Sequence, residues 1–102
     1  MANSYRSEIS IGGITLRPTF QALAEIEAAS AKSIIELLIN FPDKQLTISE
    51  IMAIIRSGHK AYNGTILDDK QIELLIQERG LVNILPEIAK FLHGAVGLDG
   101  YE

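Results

Sequence analysis

The chain has 102 residues, a formal net charge of −4, 47% hydrophobic residues and no cysteine. This length supports one domain with a modest core, and the composition is typical of soluble globular proteins. The absence of cysteine excludes disulfides, thiolate catalysis and cysteine-ligated metals. No apolar run approaches the ~18 residues of a membrane span, and the first residues lack the features of a signal peptide. We therefore expect a cytoplasmic protein with no membrane partner.

The segment from Ser7 to Arg17 predicts a short β-hairpin. Apolar and polar residues alternate on both sides of Gly12-Gly13, a dipeptide that adopts the positive φ angles of a two-residue turn. All the apolar side chains of the hairpin then share one face, because side chains alternate along a strand. An isolated hairpin is marginal in water, so we expect this face to pack on the helices. The turn sets the register of the pairs, which are Ile11–Ile14, Ser10–Thr15, Ile9–Leu16 and Glu8–Arg17.

Short helices follow the hairpin. Pro18 lies before or in the first turn of the first helix, which should end near Ser30. Each of the next three helices begins with a capping-box pattern, in which two side chains bond to the free N–H groups of the first turn. Turn and breaker residues should end these helices. The capping pairs are Ser33–Glu36, Thr47–Glu50 and Asp68–Gln71, and the breakers are Pro42-Asp43, Asn63-Gly64 and Gly80.

The last apolar segment, Leu81 to Val96, contains Pro86 and leaves two possibilities open. It is either one kinked helix or a helical turn followed by a main helix. The sequence therefore predicts a mainly α (α+β) fold: a short N-terminal β-hairpin followed by a compact bundle of four or five short helices. A single globular domain should span 7–96, with the hairpin at 7–17 and helices within 19–96. Residues 1–6 should form an N-terminal extension and 97–102 a flexible tail.

The predicted core combines the hairpin face with one face of each helix. Such faces must pack together, because isolated helices of this length are marginal in water. The predicted core residues are Ile14, Leu16, Phe20, Leu23, Ile34, Leu38, Ile51, Ile55, Ile72, Leu75, Leu85, Ile88 and Leu92.

No residue pattern indicates catalysis, a cofactor or a metal site. His59 and His93 lie far apart, and neither has an acidic residue at helical ligand spacing. Asp68 is explained by capping, and Gly12-Gly13 lacks the lysine of a phosphate-binding loop. We expect the protein not to be an enzyme.

The two capped helices between Thr47 and Gly80 raise the alternative of a small helix-turn-helix DNA-binding regulator. A recognition helix presents basic or amide side chains to base edges and is flanked by phosphate contacts. Here the second helix begins with Asp68-Asp69 and continues with Glu73, and these carboxylates would repel phosphate. These charges disfavour nucleic acid as a partner.

Two polar side chains have predicted structural roles. Glu27 lies near the apolar stripe of the first helix, just before the connector of residues 30–33. We expect it to accept hydrogen bonds from backbone N–H groups of the connector, or to pair with a nearby cation, and so to fix the angle between the first two helices. Arg17 should pair with Glu8 across the hairpin.

The run LRPTFQALAEIE, from Leu16 to Glu27, is the most specific motif of the chain. With the MAN-x-x-R-x-E opening, the SIIELL and TISEIMAIIRSG helices, and the ILPEIAKFL end, it resembles the gene transfer agent family of small phage-tail proteins, classed with the tail assembly chaperones. The resemblance covers nearly the whole chain. One departure is the compact Gly12-Gly13 turn, where relatives often have a longer loop.

This resemblance implies a non-enzymatic role in building a phage-like tail. The protein would act as a tail assembly chaperone or as a minor tail component, alongside the tail tube and tape measure proteins. It would lie in the cytoplasm or in a phage-like particle. A self-associating helical interaction domain remains a further alternative.

The outer edge of the first strand is the predicted partner contact, formed by Ser7, Glu8, Ile9, Ser10 and Ile11. Its unpaired N–H and C=O groups can accept another strand, and only one charged side chain guards it. We expect contact in a homo-oligomer or by strand addition to a tail protein. The alternative is an edge that is solvated or covered by residues 1–6.

Overall fold

The computed structural model describes residues 8–40 and 46–95, which form a two-stranded antiparallel hairpin and five helices. This confirms the predicted mainly α fold with an N-terminal hairpin. The strands are β1 (Ile9–Ile11) and β2 (Ile14–Leu16). The helices are α1 (Phe20–Ser30), α2 (Ile34–Asn40), α3 (Ile48–Asn63), α4 (Asp69–Arg79) and α5 (Leu81–Ala95).

Some predictions fall outside the described residues. These are the N-terminal extension of residues 1–6, the helix break at Pro42-Asp43 and the tail of residues 97–102. The proposed domain limits at residues 7 and 96 therefore stay predictions.

The hairpin has the predicted register. Its pairs are Ile9–Leu16, Ser10–Thr15 and Ile11–Ile14. Gly12 and Gly13 have φ values of 55° and 85°, the positive values that a two-residue turn requires. One position beyond the strands, Arg17 Nε donates a hydrogen bond of 2.7 Å to Glu8 Oε2. The predicted apolar face is buried at β1 and at Leu16, and half-buried at Ile14.

Side-chain caps define the helix starts. Thr19, three residues after the end of β2, caps α1 by accepting a 3.1 Å hydrogen bond from the N–H of Ala22. The hydroxyl of Ser33 accepts a 3.0 Å bond from the N–H of Glu36 at the start of α2. Complete capping boxes begin α3 and α4, and glycines in positive φ end both helices. The box pairs are Thr47–Glu50 and Asp68–Gln71, and the glycines are Gly64 and Gly80.

The C-terminal apolar segment is one helix, with Pro86 inside it. Proline supplies no N–H, so the helix loses one backbone hydrogen bond at this point without ending. The break from α4 lies instead at Gly80, where φ is 88°. Just after it, the side chain of Asn83 donates a 2.9 Å bond to the carbonyl of Arg79 and so satisfies the end of α4.

The core is one hydrophobic cluster to which both strands and all five helices contribute. Among the predicted core residues, Leu16, Ile34, Ile51, Ile55, Ile72, Leu75, Ile88 and Leu92 are buried, whereas Ile14, Leu23, Leu38 and Leu85 are half-buried at its margin. The prediction missed several buried side chains, including Ile26, Leu37, Leu46, Ile54, Leu67, Ile84 and Phe91.

The prediction that Phe20 lies in the core is wrong, because its side chain is 93% exposed. The buried residues of α1 are Ala22 and Ile26, which are four positions apart on one face. Phe20 precedes Ala22 by two residues, a rotation of about 200° around a helix with 3.6 residues per turn. The first residue of α1 therefore points to the opposite side of the helix.

Candidate functional site

Helix α3 forms hydrogen bonds with the outer edge of β2. The ring atom Nδ1 of His59 lies 2.9 Å from the carbonyl oxygen of Thr15. Since a carbonyl only accepts, this nitrogen carries the proton and donates. The next outward group along the strand, the N–H of Arg17, donates a 3.0 Å bond to the carbonyl of Gly58. Both bonds occupy positions where an added strand would pair with β2.

Gly58 allows β2 to approach this closely. A Cβ atom at Gly58 would lie 2.9 Å from the Cβ of Leu16, a contact that real side chains do not tolerate. The absent side chain lets the backbone of β2 and the backbone of α3 meet. The neighbouring residue His59 is buried, at 7% exposure. Nearby, the guanidinium of Arg17 lies 5.3 Å from the ring centroid of Tyr62, a cation–π distance. In the sequence, His59 has no ligand pattern around it and Gly58 carries no signal.

Among the described residues, no helix or further strand bonds to the outer edge of β1, and we call this edge open in that sense. Residues paired across an antiparallel hairpin alternate between inward and outward backbone groups, and Ser10 pairs with Thr15, whose carbonyl points outward to His59. The N–H and C=O of Ser10 therefore also point away from the hairpin. Within the described residues, nothing outside the hairpin forms a hydrogen bond with these two groups. Of the predicted contact segment, Glu8 to Ile11 is described, whereas Ser7 lies outside the described residues.

A groove of about 300 Å³ runs beside this open edge. Hairpin residues 10–12 form one wall, and Arg79 of α4 with Asn83, Ile84 and Glu87 of α5 forms the other. The second wall thus carries a cation, an amide and a carboxylate, all of which can hydrogen-bond a peptide. We call the β1 edge and this groove together the edge groove.

The hairpin turn packs against α4 at one end of the edge groove. A Cβ atom at Gly12 would lie 2.8 Å from Leu75 Cδ1 and 3.0 Å from Arg79 Nε, so the turn backbone packs directly on α4. Its φ of 55° also favours glycine. The turn therefore lies against the side chains of Leu75 and Arg79 on α4.

Glu27 lies at the junction of α1 and α2. Its Oε2 accepts a 2.9 Å hydrogen bond from the N–H of Ile34, the first residue of α2. Its backbone carbonyl accepts a 2.9 Å bond from Ala31, which ends α1 in the left-handed conformation with φ of 60°. The carboxylate thus joins the two helices across the connector, and its contribution to the interhelix angle stays a prediction.

A second polar link joins this connector to α3. Lys32 Nζ lies 2.7 Å from Glu50 Oε2, and the other carboxylate oxygen of Glu50 accepts a 2.9 Å bond from the N–H of Thr47. Burial tends to raise the pKa of Glu50, but the hydrogen bonds from Lys32 and Thr47 outweigh it, so the pKa lies below its ordinary value. The same carboxylate raises the pKa of Lys32. The capping box was predicted, whereas the contact with Lys32 had no signal in the sequence.

The described part of the chain holds neither a metal-binding cluster nor a helix suited to a membrane. No group of three or more His, Asp or Glu side chains within residues 8–40 and 46–95 is arranged to hold a metal ion. None of the helices described has both the length and the apolar character to cross a membrane.

The described residues form a small helical domain with an N-terminal hairpin, and no helix or further strand among them bonds to the outer edge of β1. Residues 8–97 match the family described as phage tail tube protein, GTA-gp10. The chain belongs to this family, which confirms the predicted gene transfer agent relationship and assigns the protein a structural role in a phage-like tail. No curated protein and no solved structure is significantly similar to the chain.

Proposed function

We propose that this protein is a non-enzymatic tail assembly protein that binds an extended segment of another tail protein along the edge groove. It acts as a tail assembly chaperone or as a minor tail component, alongside the tail tube and tape measure proteins. The observation that carries this proposal is the contrast between the two hairpin edges: α3 bonds to the outward groups of β2, whereas Ser10 presents both of its groups to the groove.

Strand addition suits this geometry. A partner strand beside β1 would pair with the N–H and C=O of Ser10 and convert the hairpin into a three-stranded sheet. Main-chain bonds provide affinity with little demand on the partner's sequence, and the charged wall formed by Arg79 and Glu87 can select among partners. The occupant to which we commit is a segment of the tape measure protein.

Binding of the purified tape measure protein to the wild type and to two Ser10 variants tests this proposal. Ser10→Pro removes the outward N–H donor, whereas the matched control Ser10→Ala removes only the exposed hydroxyl. We expect Ser10→Pro to weaken binding about tenfold or more, which corresponds to about 1.4 kcal/mol, and Ser10→Ala to bind like the wild type. Circular dichroism of both variants should show an unchanged helical content.

Equal affinity of both variants for the tape measure protein would contradict binding at the edge groove. The same result is expected if residues 1–6 cover the edge, so it would also contradict the proposal in that case. The composition of mature particles then separates the two roles. A chaperone is absent from particles purified after assembly, whereas a tail component is present in them in a fixed ratio to the tail tube protein.

The helix-turn-helix alternative receives no support from the charges of α4. Its first turn exposes Asp68 and Asp69, and the carboxylate of Asp69 pairs with the guanidinium of Arg56 on α3. A cation that would otherwise be available to phosphate is thus already engaged. Retarded migration of random duplex DNA at low salt would be the observation in favour of DNA binding.

A further inference from the structure

Arg79, the last residue of α4, carries a positive charge that has no acidic partner among the described residues. The other two arginines that the structure describes are paired, Arg17 with Glu8 and Arg56 with Asp69. Within the described part of the chain, the guanidinium of Arg79 forms neither a hydrogen bond nor an ion pair. Its five N–H donors are therefore available to an anion from another molecule.

The hairpin turn lies directly beside this guanidinium. A Cβ atom at Gly12 would lie 3.0 Å from Nε and 3.6 Å from Nη2 of Arg79. The backbone of Arg79 is also held, because its carbonyl accepts a 2.9 Å hydrogen bond from the side chain of Asn83. The residues three and four positions before it, Ile76 and Leu75, are apolar, so α4 offers it no ion pair along the helix. The charge thus lies at the turn end of the edge groove.

A strand added to β1 would direct alternate side chains toward this charge. Ile9 and Ile11 are buried, whereas Ser10 between them is exposed. Residues that pair across two strands point to the same face, so a partner residue opposite Ile11 points toward the helices. Ile11 and Arg79 both line the groove, and Ile11 directly precedes the turn. This one partner side chain therefore enters the groove near the guanidinium.

The other charges of the molecule narrow the kind of segment that fits. Glu87 lines the same wall as Arg79, yet these two described residues form no ion pair with each other. Its carboxylate would repel a second acidic side chain in the groove. The net charge of −4 also means that the chain as a whole does not attract acidic segments. A single carboxylate beside Arg79 suits the groove better than an acidic run.

We propose that Arg79 selects the tape measure segment by binding one aspartate or glutamate side chain at the position opposite Ile11. This role rests on the strand addition proposed above. A guanidinium donates two parallel hydrogen bonds to one carboxylate, so Arg79 recognises both the charge and the shape of that group. The main-chain bonds of Ser10 provide affinity for any extended segment, and Arg79 adds the preference for one acidic residue.

Overlapping synthetic peptides that cover the tape measure protein test this role. Their binding is measured with the full chain as wild type, Arg79→Gln and Lys90→Gln. Lys90→Gln is the matched control, because it removes the same charge from an exposed side chain of α5 outside the groove. We expect the strongest wild-type binders to contain an acidic residue, and Arg79→Gln to weaken their binding about tenfold. Lys90→Gln should bind them like the wild type.

A charge exchange distinguishes selection by Arg79 from a purely structural role. Lysine in place of the acidic residue of the strongest peptide should weaken its binding to the wild type. Arg79→Glu should restore the binding of this lysine peptide, because the charges are then exchanged across the contact. A structural role would weaken all peptides alike and give no restoration, and this result would overturn the proposal.

Ser10→Pro distinguishes a failure of this role from a failure of the strand addition. It should weaken the binding of every peptide, with or without an acidic residue. If Ser10→Pro has this effect and Arg79→Gln binds acidic peptides like the wild type, the role of Arg79 is wrong and the strand addition stands. If Ser10→Pro binds every peptide like the wild type, both are wrong.

Discussion

The imidazole Nδ1 of His59 donates a hydrogen bond to the carbonyl of Thr15 over 2.9 Å, joining residues 44 positions apart. This bond and the neighbouring contact from Arg17 to Gly58 attach the hairpin to α3. Among the described residues they also make the two hairpin edges unequal, because only β2 bonds to a helix in this way. The location of the open edge therefore depends on α3.

Replacing His59 with Ala should destabilise the fold. The carbonyl of Thr15 would lose its partner beside a buried helix face, which costs about 1–3 kcal/mol. Urea unfolding of His59→Ala measures this loss. His93→Ala is the control, since His93 is exposed on α5, and its stability should stay within about 0.5 kcal/mol of the wild type. Equal stability of the two variants would contradict the role of the bond.

Glu27 should contribute through its acceptor oxygen. Glu27→Ala removes the partner of the Ile34 N–H and should cost about 1 kcal/mol in the free energy of unfolding. Glu27→Gln keeps an acceptor oxygen at the same length and should lose less, because only the charge is removed. If thermal or urea unfolding finds both variants as stable as the wild type, Glu27 does not fix the junction of α1 and α2.

The Lys32–Glu50 pair predicts a defined pH dependence. The pKa of Glu50 in the folded protein is lowered, so its contribution is present above the ordinary value of 4.5 and is lost as pH falls through the lowered value. The pKa of Lys32 is raised, so its contribution is present below 10.5 and is lost as pH rises through the raised value.

Urea unfolding at several pH values tests this prediction. The stability advantage of the wild type over Glu50→Gln should shrink below about pH 4.5 and be largest near neutral pH. The corresponding comparison with Lys32→Met should show the wild-type advantage decreasing above pH 10.5. A wild-type advantage over Glu50→Gln that grows on acidification would have the opposite sign and contradict a lowered pKa.

Two residues of α1 should respond very differently to truncation. Ile26 has 0% exposure, so Ile26→Ala should cost about 2–5 kcal/mol through the lost apolar contacts and the cavity. Phe20→Ala should change the stability by no more than about 0.5 kcal/mol, because the ring lies outside the core. Urea unfolding of the two variants provides the comparison. A large loss in Phe20→Ala would show that the ring is buried.

Local signals in the sequence were sufficient for the hairpin register and for the starts of the helices with predicted caps. Gly12-Gly13 sets which residues oppose one another, and a cap such as Thr47–Glu50 acts within one helical turn. Both depend on residues close together in the chain, so a single sequence contains them. The family motif around LRPTFQALAEIE was also visible there, and the family match confirms it.

Distant contacts decided what these local signals left open. Phe20 and Ile26 are both apolar residues of one short helix, and only the position of α3 makes one exposed and the other buried. Gly58 has no distinctive signal in the sequence. Its requirement for glycine follows only from the packing of Leu16 against it. The amino-acid sequence thus determined the hairpin register, the starts of the helices with capping boxes and the family. Among the described residues, the tertiary structure decided which hairpin edge bonds to a helix and which apolar residues face solvent, because both depend on elements that meet only after the chain has folded.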